Sequence, residues 1–276
     1  MSPLSEPTLV HEYETVRLLA EGAATTIELA RPETLNAWNH QFGLDLLDAV
    51  QRVATDDSVR AVVIRGEGRA FSSGADLKDM AGREDRAPDG APDVRSTLTE
   101  RYHPIITGVR AMPKPVIAAV RGPAVGIGLS LALACDLIVA SESAYFLLAF
   151  VNIGLVPDGG SSLLVPSRVG FTRAIEMAML GERVDARRAL DWGLINAVHP
   201  DAEFDAAVGE LAQRLAQGPT RSYAGTKRQL NNWLYARMDE QLDLEADIQQ
   251  EMAGSGDFVE GVTAFVQKRP ARFGGA

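Results

Sequence analysis

The sequence predicts an α/β fold, with a mixed core at residues 1–200 and a helical region at residues 201–276. Apolar and β-branched runs typical of buried strands alternate with stretches of helical apolar spacing, and the connections between them are short. Beyond residue 201 only helical patterns occur, separated by breaks that contain glycine. The chain has 276 residues, of which 46% are hydrophobic, so it can bury a substantial core.

A hairpin, a helix and a buried strand are predicted in the first quarter of the chain. Runs of apolar and β-branched residues predict strands at Val10–Leu19, Thr25–Leu29 and Val59–Arg65. Gly22, which follows a glutamate, is typical of a hairpin turn between the first two runs. Apolar residues at helical spacing predict a helix within Asn36–Ala54, and Asn39 is a suitable N-cap for it.

The alternation continues through the middle of the chain and then gives way to helices. Helices are predicted at Arg95–Ala111 and Gly126–Ala134, and strands at Val116–Val120 and Leu137–Ala140. The helical patterns of the C-terminal region are Phe204–Ala216, Ser222–Tyr235, Leu242–Met252 and Phe258–Lys268. This order predicts an α/β core with crossover helices, followed by a helical appendage.

The composition excludes several classes of function. A net charge of −10 argues against a nucleic-acid-binding protein, whose surface would be basic. Cys135 is the single cysteine, so intrachain disulfides and cysteine-rich metal sites are excluded, and the four histidines are scattered. The glycines of Gly122–Gly128 lack the spacing of a dinucleotide fingerprint. We therefore expect neither a metal nor a separate cofactor.

No segment of the sequence is suited to a membrane. The longest apolar runs are far too short to span a bilayer. The first seven residues lack the basic flank and the apolar stretch of a signal peptide. We therefore expect a cytoplasmic protein without a membrane partner.

Two glycine-containing turns are candidates for an oxyanion hole, a pair of backbone N–H groups that stabilises a developing negative charge. The side chain of Ala75, in Phe71–Leu77, offers no chemistry, so a functional role for this residue would rest on its N–H group. Ile127, in Gly122–Ser130, would place its N–H group at a helix N-terminus, where the helix dipole favours an anion. Alternatively, both segments are ordinary turns, with Asp76 as a helix cap.

Asp158 is the candidate acid/base residue. It lies in Gly154–Gly160, whose Pro-Asp-Gly-Gly sequence is typical of a tight turn. A carboxyl group in an apolar pocket has a raised pKa, which suits proton transfer near neutral pH. Phe150, Leu155 and Val156 would supply apolar walls for such a pocket. Alternatively, Asp158 is only a turn residue.

Five segments of the chain resemble those of one known family. The segments are Ala70–Leu77, Lys114–Gly122, Leu131–Asp136, Gly154–Gly160 and Glu260–Arg269, and they follow one another in the same order as in that family. They resemble the enoyl-CoA hydratase/isomerase (crotonase) superfamily. The resemblance implies a crotonase-like spiral of strand–strand–helix units, an acyl-CoA substrate, and C-terminal helices that build trimers, commonly paired into hexamers. CoA would be part of the substrate thioester, so no further cofactor is implied.

The resemblance also implies roles for residues around the first turn. The N–H groups of Ala75 and Ile127 would hold the thioester oxygen. Ala37, Ser73 and Leu77, together with Ala75, would line the path of the adenine and pantetheine groups.

Further residues would contact other parts of CoA. Arg69 and Lys78 are candidate partners of the CoA phosphates, and Asp76 is also counted among the substrate-binding residues. Phe265 and Lys268 would reach the CoA of a neighbouring subunit. Alternatively, these last two are a helix core residue and a solvated charge.

The reaction depends on two positions at which hydratases of this family have glutamates that hold the attacking water. The resemblance aligns these positions with Ser130 and Phe150, neither of which can act as a carboxylate acid or base. We count both as substrate-binding, and Phe150 would make its wall apolar. A double-bond shift needs only one carboxylate, which lifts a proton from C2 and returns it at C4. Asp158 would supply it, while the oxyanion hole holds the dienolate.

The sequence therefore favours an enoyl-CoA isomerase. Pro157–Gly160 resembles the Δ3,Δ2-enoyl-CoA isomerase branch, and resembles still more the phenylacetate-pathway isomerase that converts a ring epoxide to its oxepin. Gln241–Glu245 strengthens the second likeness. Two alternatives are an enoyl-CoA hydratase that uses another carboxylate and a CoA-thioester-binding protein without turnover.

Overall fold

The computed structural model describes residues 7–82, 86–88 and 90–276, so the signal-peptide expectation lies almost wholly outside the described residues. The strands within this range are β1 (Thr8–Glu12), β2 (Val16–Glu21), β3 (Ala24–Leu29), β4 (Ala61–Gly66), β5 (Val116–Val120), β6 (Pro123–Val125), β7 (Leu137–Ser141), β8 (Tyr145–Leu147), β9 (Val184–Asp185) and β10 (Ala197–His199). The α-helices are α1 (His40–Thr55), α2 (Leu77–Gly82), α3 (Val94–Thr97), α4 (His103–Ala111), α5 (Ile127–Ala134), α6 (Ser161–Leu180), α7 (Ala186–Asp191), α8 (Phe204–Gln217), α9 (Thr220–Leu234), α10 (Met238–Ala253) and α11 (Gly256–Val266). Helical turns of other types lie at Pro32–Thr34, Leu98–Tyr102 and Phe150–Ile153.

The strands form two sheets. The larger sheet has the order β1-β2-β3-β4-β5-β7-β10, in which β1, β2 and β3 are antiparallel and β3 to β10 are parallel. The smaller sheet contains β6, β8 and β9. Since β5 is followed by β6 and α5, and β7 by β8 and α6, the chain winds in strand–strand–helix units. The loops that leave the carboxyl ends of the parallel strands gather at one edge of the large sheet, where ligands bind in open α/β folds.

The first candidate turn extends the smaller sheet. Ser72 forms a parallel bridge with Ala124 of β6, and Ala75 forms one with Trp38. The N–H group of Val125 donates to the carbonyl of Ser72 at 3.0 Å. The segment between β4 and α2 therefore lies directly beside the segment between β5 and α5, which contains the second candidate turn.

Two hydrophobic clusters cover the two faces of the large sheet. One contains fully buried side chains such as Phe42 and Phe146, packed against every second residue of the strands. In the other, Phe204 of α8 packs on the intervening residues, which include Val63 and Ile117. The predicted boundary at residue 200 falls between β10 and α8, and the division into two regions stays a prediction.

Several short elements, among them β6, β9, β10 and α7, were not predicted from the sequence, and two larger differences have a local physical reason. The predicted strand Val10–Leu19 is two antiparallel strands, because a turn in which the N–H group of Tyr13 donates to the carbonyl of Val16 at 2.9 Å interrupts it. Helix α6 is missing from the prediction. It contains Pro166 and the non-helical Gly170 (φ 73°, ψ 169°), both of which disfavour a continuous helix.

The predicted N-cap of α1 is confirmed, and its loss has a measurable cost. The side chain of Asn39 accepts a hydrogen bond from the N–H group of Phe42 at 2.9 Å. Asn39→Ala is expected to lower the free energy of unfolding by about 1 kcal/mol, because that N–H group loses its partner. Urea denaturation followed by circular dichroism measures the change. Asn39→Ser can still cap the helix, so a serine variant no more stable than the alanine variant would contradict this account.

Two expectations from composition can be compared with the described residues. No helix among them is both long and apolar enough to pass through a bilayer. No group of three or more His, Cys, Asp or Glu side chains in that part of the chain is arranged to hold a metal ion. The single cysteine, Cys135, is buried.

Candidate active site

A cavity of about 950 Å³ lies beside the two candidate turns. Ala75, Ile127 and Asp158, the three residues predicted to perform chemistry, all line it. Its walls also include apolar side chains such as Phe150 and Leu155. The fold therefore brings two backbone segments and one carboxyl group, which lie far apart in the chain, to a single chamber.

The N–H group of Ala75 is directed away from Trp38, its partner in an isolated β-bridge. The N–H group of Trp38 donates to the carbonyl of Gly74 at 2.8 Å, and the N–H group of Asp76 donates to the carbonyl of Trp38 at 3.0 Å. Because backbone groups alternate in direction along an extended segment, the N–H group of Ala75 lies on the opposite side. No described group accepts a hydrogen bond from it. It is therefore free to bind a ligand.

The second N–H group belongs to the first residue of α5. Ile127 follows Gly126, whose backbone angles (φ 54°, ψ −127°) are rarely adopted by residues other than glycine. Because Ile127 is the first residue of the helix, its N–H group has no intrahelical acceptor. The described part of the chain offers it no other acceptor. The two turns touch: a Cβ atom added to Gly74 would lie 2.9 Å from the carbonyl oxygen of Val125 and 3.8 Å from the Cα atom of Gly126. Both free N–H groups thus belong to backbone segments in direct contact.

The backbone of Asp158 is fixed from two sides. Its carbonyl oxygen accepts hydrogen bonds from the hydroxyl groups of Ser130 and Ser161, each at 2.8 Å. Two glycines follow it, and α6 begins immediately after them. The turn is therefore rigidly attached to both α5 and α6.

The side chain of Asp158 is buried, with 6% of its surface exposed. Its Oδ2 atom accepts a hydrogen bond from Nε2 of Gln249 at 2.7 Å, whereas Oδ1 has no partner among the described residues. Burial is the main reason that the pKa of Asp158 is raised to about 8; the Gln249 hydrogen bond acts to lower this pKa, and the charge of Glu245 acts to raise it. A carboxyl group with this pKa can both accept and donate a proton near neutral pH.

Gln249 and Glu245, both on α10, are functional candidates that the sequence analysis missed. Glu245 is buried and accepts hydrogen bonds from the N–H groups of Gly160 at 2.7 Å and Ser162 at 3.0 Å. Burial raises the pKa of Glu245 to about 7. Two signals were available: Glu245 ends the segment Gln241–Glu245 that strengthens the resemblance, and the two residues are four apart, on the same face of a helix.

Seven of the predicted substrate-binding residues line the cavity. They are Ala37, Ser73, Asp76, Leu77, Lys78, Phe150 and Phe265. Asp76 pairs with Arg31 at 3.3 Å and also accepts a hydrogen bond from the N–H group of Asp79 at 3.3 Å, as a helix cap does. Phe265, predicted to reach a neighbouring subunit, lines the cavity of its own chain.

Three predicted substrate-binding residues are not brought to the cavity. Arg69 is exposed beside β4, and Lys268 is exposed just beyond the end of α11. Ser130 is fully buried, and its hydroxyl group is directed to the carbonyl of Asp158 instead of the cavity. Two other cations, Arg86 and Arg269, line the cavity and were not predicted.

The chain is similar to known proteins over nearly its whole length. A family model described as Enoyl-CoA hydratase/isomerase matches residues 20–276. A probable enoyl-CoA hydratase of Rhodobacter capsulatus is 40% identical over 264 residues, which cover 95% of this chain and 99% of that protein. The 1,2-epoxyphenylacetyl-CoA isomerase of Escherichia coli K12 is 38% identical, with 92% of this chain and 96% of that protein covered. The crystal structure of an enoyl-CoA hydratase from Mycobacterium avium subsp. paratuberculosis matches with a TM-score of 0.86 and 39% identity, covering 95% of this chain and 99% of that one.

Proposed function

This chain belongs to the enoyl-CoA hydratase/isomerase family and has the crotonase fold, as its sequence predicts, and within that family we propose that it is an isomerase that shifts a double bond in an enoyl-CoA thioester. The observation that supports this most is that Asp158 is the one buried carboxyl group among the described residues that line the cavity. The other described carboxylates there, Glu33, Asp76, Asp79 and Asp93, are more exposed.

The proposed mechanism needs one carboxylate and two N–H groups. The carbonyl oxygen of a 3-enoyl thioester accepts hydrogen bonds from the N–H groups of Ala75 and Ile127. Ionised Asp158 removes a proton from C2, and the electrons of the broken C–H bond form a dienolate whose charge lies on the thioester oxygen. The two donors and the dipole of α5 stabilise that charge. Protonated Asp158 then returns the proton at C4, which leaves the double bond between C2 and C3.

Hydration of a 2-enoyl thioester is the competing function, and the name of the Rhodobacter relative favours it. Hydratases of this family use two glutamates to hold the water, as the sequence resemblance implies. Here the hydroxyl group of Ser130 is bound to the carbonyl of Asp158, and the buried side chain of Phe150 forms part of the cavity wall. These observations support the isomerase.

We also propose that Ser73, Leu77 and Lys78 contact the CoA portion of the substrate and that the protein assembles as a trimer or a hexamer. Phe171 of α6 is 76% exposed and Trp233 of α9 is 81% exposed. Large apolar side chains exposed to this extent are suited to contact with another copy of the chain.

Wild-type protein is expected to convert 3-enoyl-CoA to 2-enoyl-CoA much faster than it hydrates 2-enoyl-CoA. Because the base must be ionised, kcat/KM for isomerisation should rise with pH until it levels off above the raised pKa of Asp158, which is about 8. Chromatography of the thioesters at neutral and mildly alkaline pH measures both reactions. Hydration that outpaces isomerisation would favour the hydratase. Failure to turn over either thioester, or the ring epoxide of phenylacetyl-CoA, would favour a binding role.

A further inference from the structure

Helix α10 presents three polar side chains, each four residues from the next, to the start of α6 and the residues before it. Gln241 donates to the hydroxyl group of Ser162 at 2.8 Å, and Glu245 accepts from the N–H group of Ser162 at 3.0 Å. Gln249 donates to the carboxyl group of Asp158 at 2.7 Å. Of the three, only Gln249 contacts the proposed base.

The backbone determines which way the amide of Gln249 points. Its Oε1 atom accepts a hydrogen bond from the N–H group of Val156 at 3.1 Å. The amide nitrogen must therefore be the end directed at Oδ2 of Asp158, because an N–H group can donate only to the oxygen. Gln249 is fully buried, so water does not compete for either contact. Reversing the amide would leave two donors facing each other at Val156 and two acceptors facing each other at Asp158.

This arrangement distinguishes the two oxygens of Asp158. Oδ2 is bound by the amide, and the buried Oδ1 has no partner within the described residues. We infer that Gln249 is a positioning residue that holds Oδ2, so that Oδ1 is the atom that moves the proton between substrate carbons. This inference rests on the proposed role of Asp158 as the base.

The charges that act on the carboxyl group give the inference a measurable consequence. Within the described residues, Glu245, one turn from Gln249 on α10, is the ionisable group whose charge acts on Asp158, and this charge disfavours a second negative charge. The amide of Gln249 opposes that effect, because a hydrogen bond donated to a carboxylate favours the ionised form. Without the amide, Asp158 should hold its proton to a higher pH.

Gln249→Met, which keeps the length of the side chain and removes the donor, tests the inference. In the pH profile of kcat/KM for isomerisation, we expect the acid limb to move to higher pH by about one unit, so that activity at pH 7 falls about tenfold. Gln249→Glu should move the limb in the same direction and further, because a second carboxylate then lies beside Asp158. This variant also tests the inference should the methionine variant not fold.

Gln241→Met is the matched control, since it removes an amide from the same face of the same helix without touching Asp158. We expect it to leave the pH profile unchanged, although it loses its bond to Ser162. A lower rate with an unmoved acid limb in both Gln249 variants would overturn the inference, because a merely structural amide affects folding and not the ionisation of Asp158. The proposed function fails separately, if Asp158→Asn retains isomerase activity.

Discussion

Asp158→Asn is expected to lower kcat for isomerisation by about 10³- to 10⁴-fold, because the variant keeps the shape of the side chain but cannot take up the C2 proton. The amide oxygen of asparagine can still accept the hydrogen bond of Gln249, so the turn should keep its position. Single-turnover conversion of 3-enoyl-CoA measures the rate, and fluorescence titration with 2-enoyl-CoA measures binding. We expect binding to remain within a few fold of wild type. A variant that still isomerises at a comparable rate would contradict the assigned role.

The same substitution should make the protein more stable. In the unfolded chain Asp158 loses its proton near its ordinary pKa of 3.8, whereas in the fold it does so near 8. Between these values the unfolded state holds fewer protons, so wild-type stability falls as pH rises through this window. The asparagine variant lacks this loss, and we expect a gain of about 1–3 kcal/mol in the free energy of unfolding at pH 7, which vanishes towards pH 4. Equal stability of the two proteins at pH 7 would contradict the raised pKa.

Exchange of an exposed carboxylate provides the control for both measurements. Asp205 lies on α8, outside the cavity, and pairs with Arg121 at 3.0 Å on the surface. Asp205→Asn removes the same charge from the protein, and we expect neither the rate nor the pH dependence of stability to change appreciably, because surface ion pairs contribute little. A general effect of net charge would appear in both Asp158→Asn and Asp205→Asn, whereas an effect of the buried base would appear only in Asp158→Asn.

The sequence was sufficient to predict those parts of the candidate site whose conformation depends on neighbouring residues in the chain. Gly74 (φ 91°) and Gly126 (φ 54°) have backbone angles that other residues rarely adopt, so the motifs that contain them specify their own turns. Asp158 was recognisable because its turn sequence is equally local. The repeated alternation of strands and helices likewise predicted the α/β fold without knowledge of which strands pair.

Residues that act across the fold could not be found in this way. Gln249 lies 91 residues after Asp158, and their contact depends on how α10 packs against α6. Glutamine and glutamate at helical spacing ordinarily indicate an exposed face, so the pattern alone gave no reason to expect burial. Arg69 is exposed and does not line the cavity, and its contact with the CoA phosphates, carried over from the resemblance, stays a prediction.

Gly74→Ala is expected to lower kcat for isomerisation by about 100-fold, because it separates the two turns that provide the proposed oxyanion hole. The new Cβ atom would lie 2.9 Å from the carbonyl oxygen of Val125, closer than such atoms approach, so one backbone segment must move. A proline at Ala75 or Ile127 would remove the N–H group but would also fix φ and add a ring to the turn, whereas Gly74→Ala displaces the turn and keeps both N–H groups. The stabilisation is needed most when the oxygen carries charge, so kcat should fall more than substrate affinity.

Gly170→Ala separates the loss of the oxyanion hole from the strain of the substitution itself. Gly170 also has a positive φ, 73°, but a Cβ atom there would meet nothing within 4 Å. Both variants should therefore lose stability through backbone strain, about 1–2 kcal/mol, while only Gly74→Ala should lose rate. Equal rates in the two variants would mean that the contact between the turns does not position the N–H groups of Ala75 and Ile127 for catalysis. A rate loss confined to Gly74→Ala would instead indicate that closely placed amides are needed, as expected if the thioester oxygen carries the charge of the intermediate.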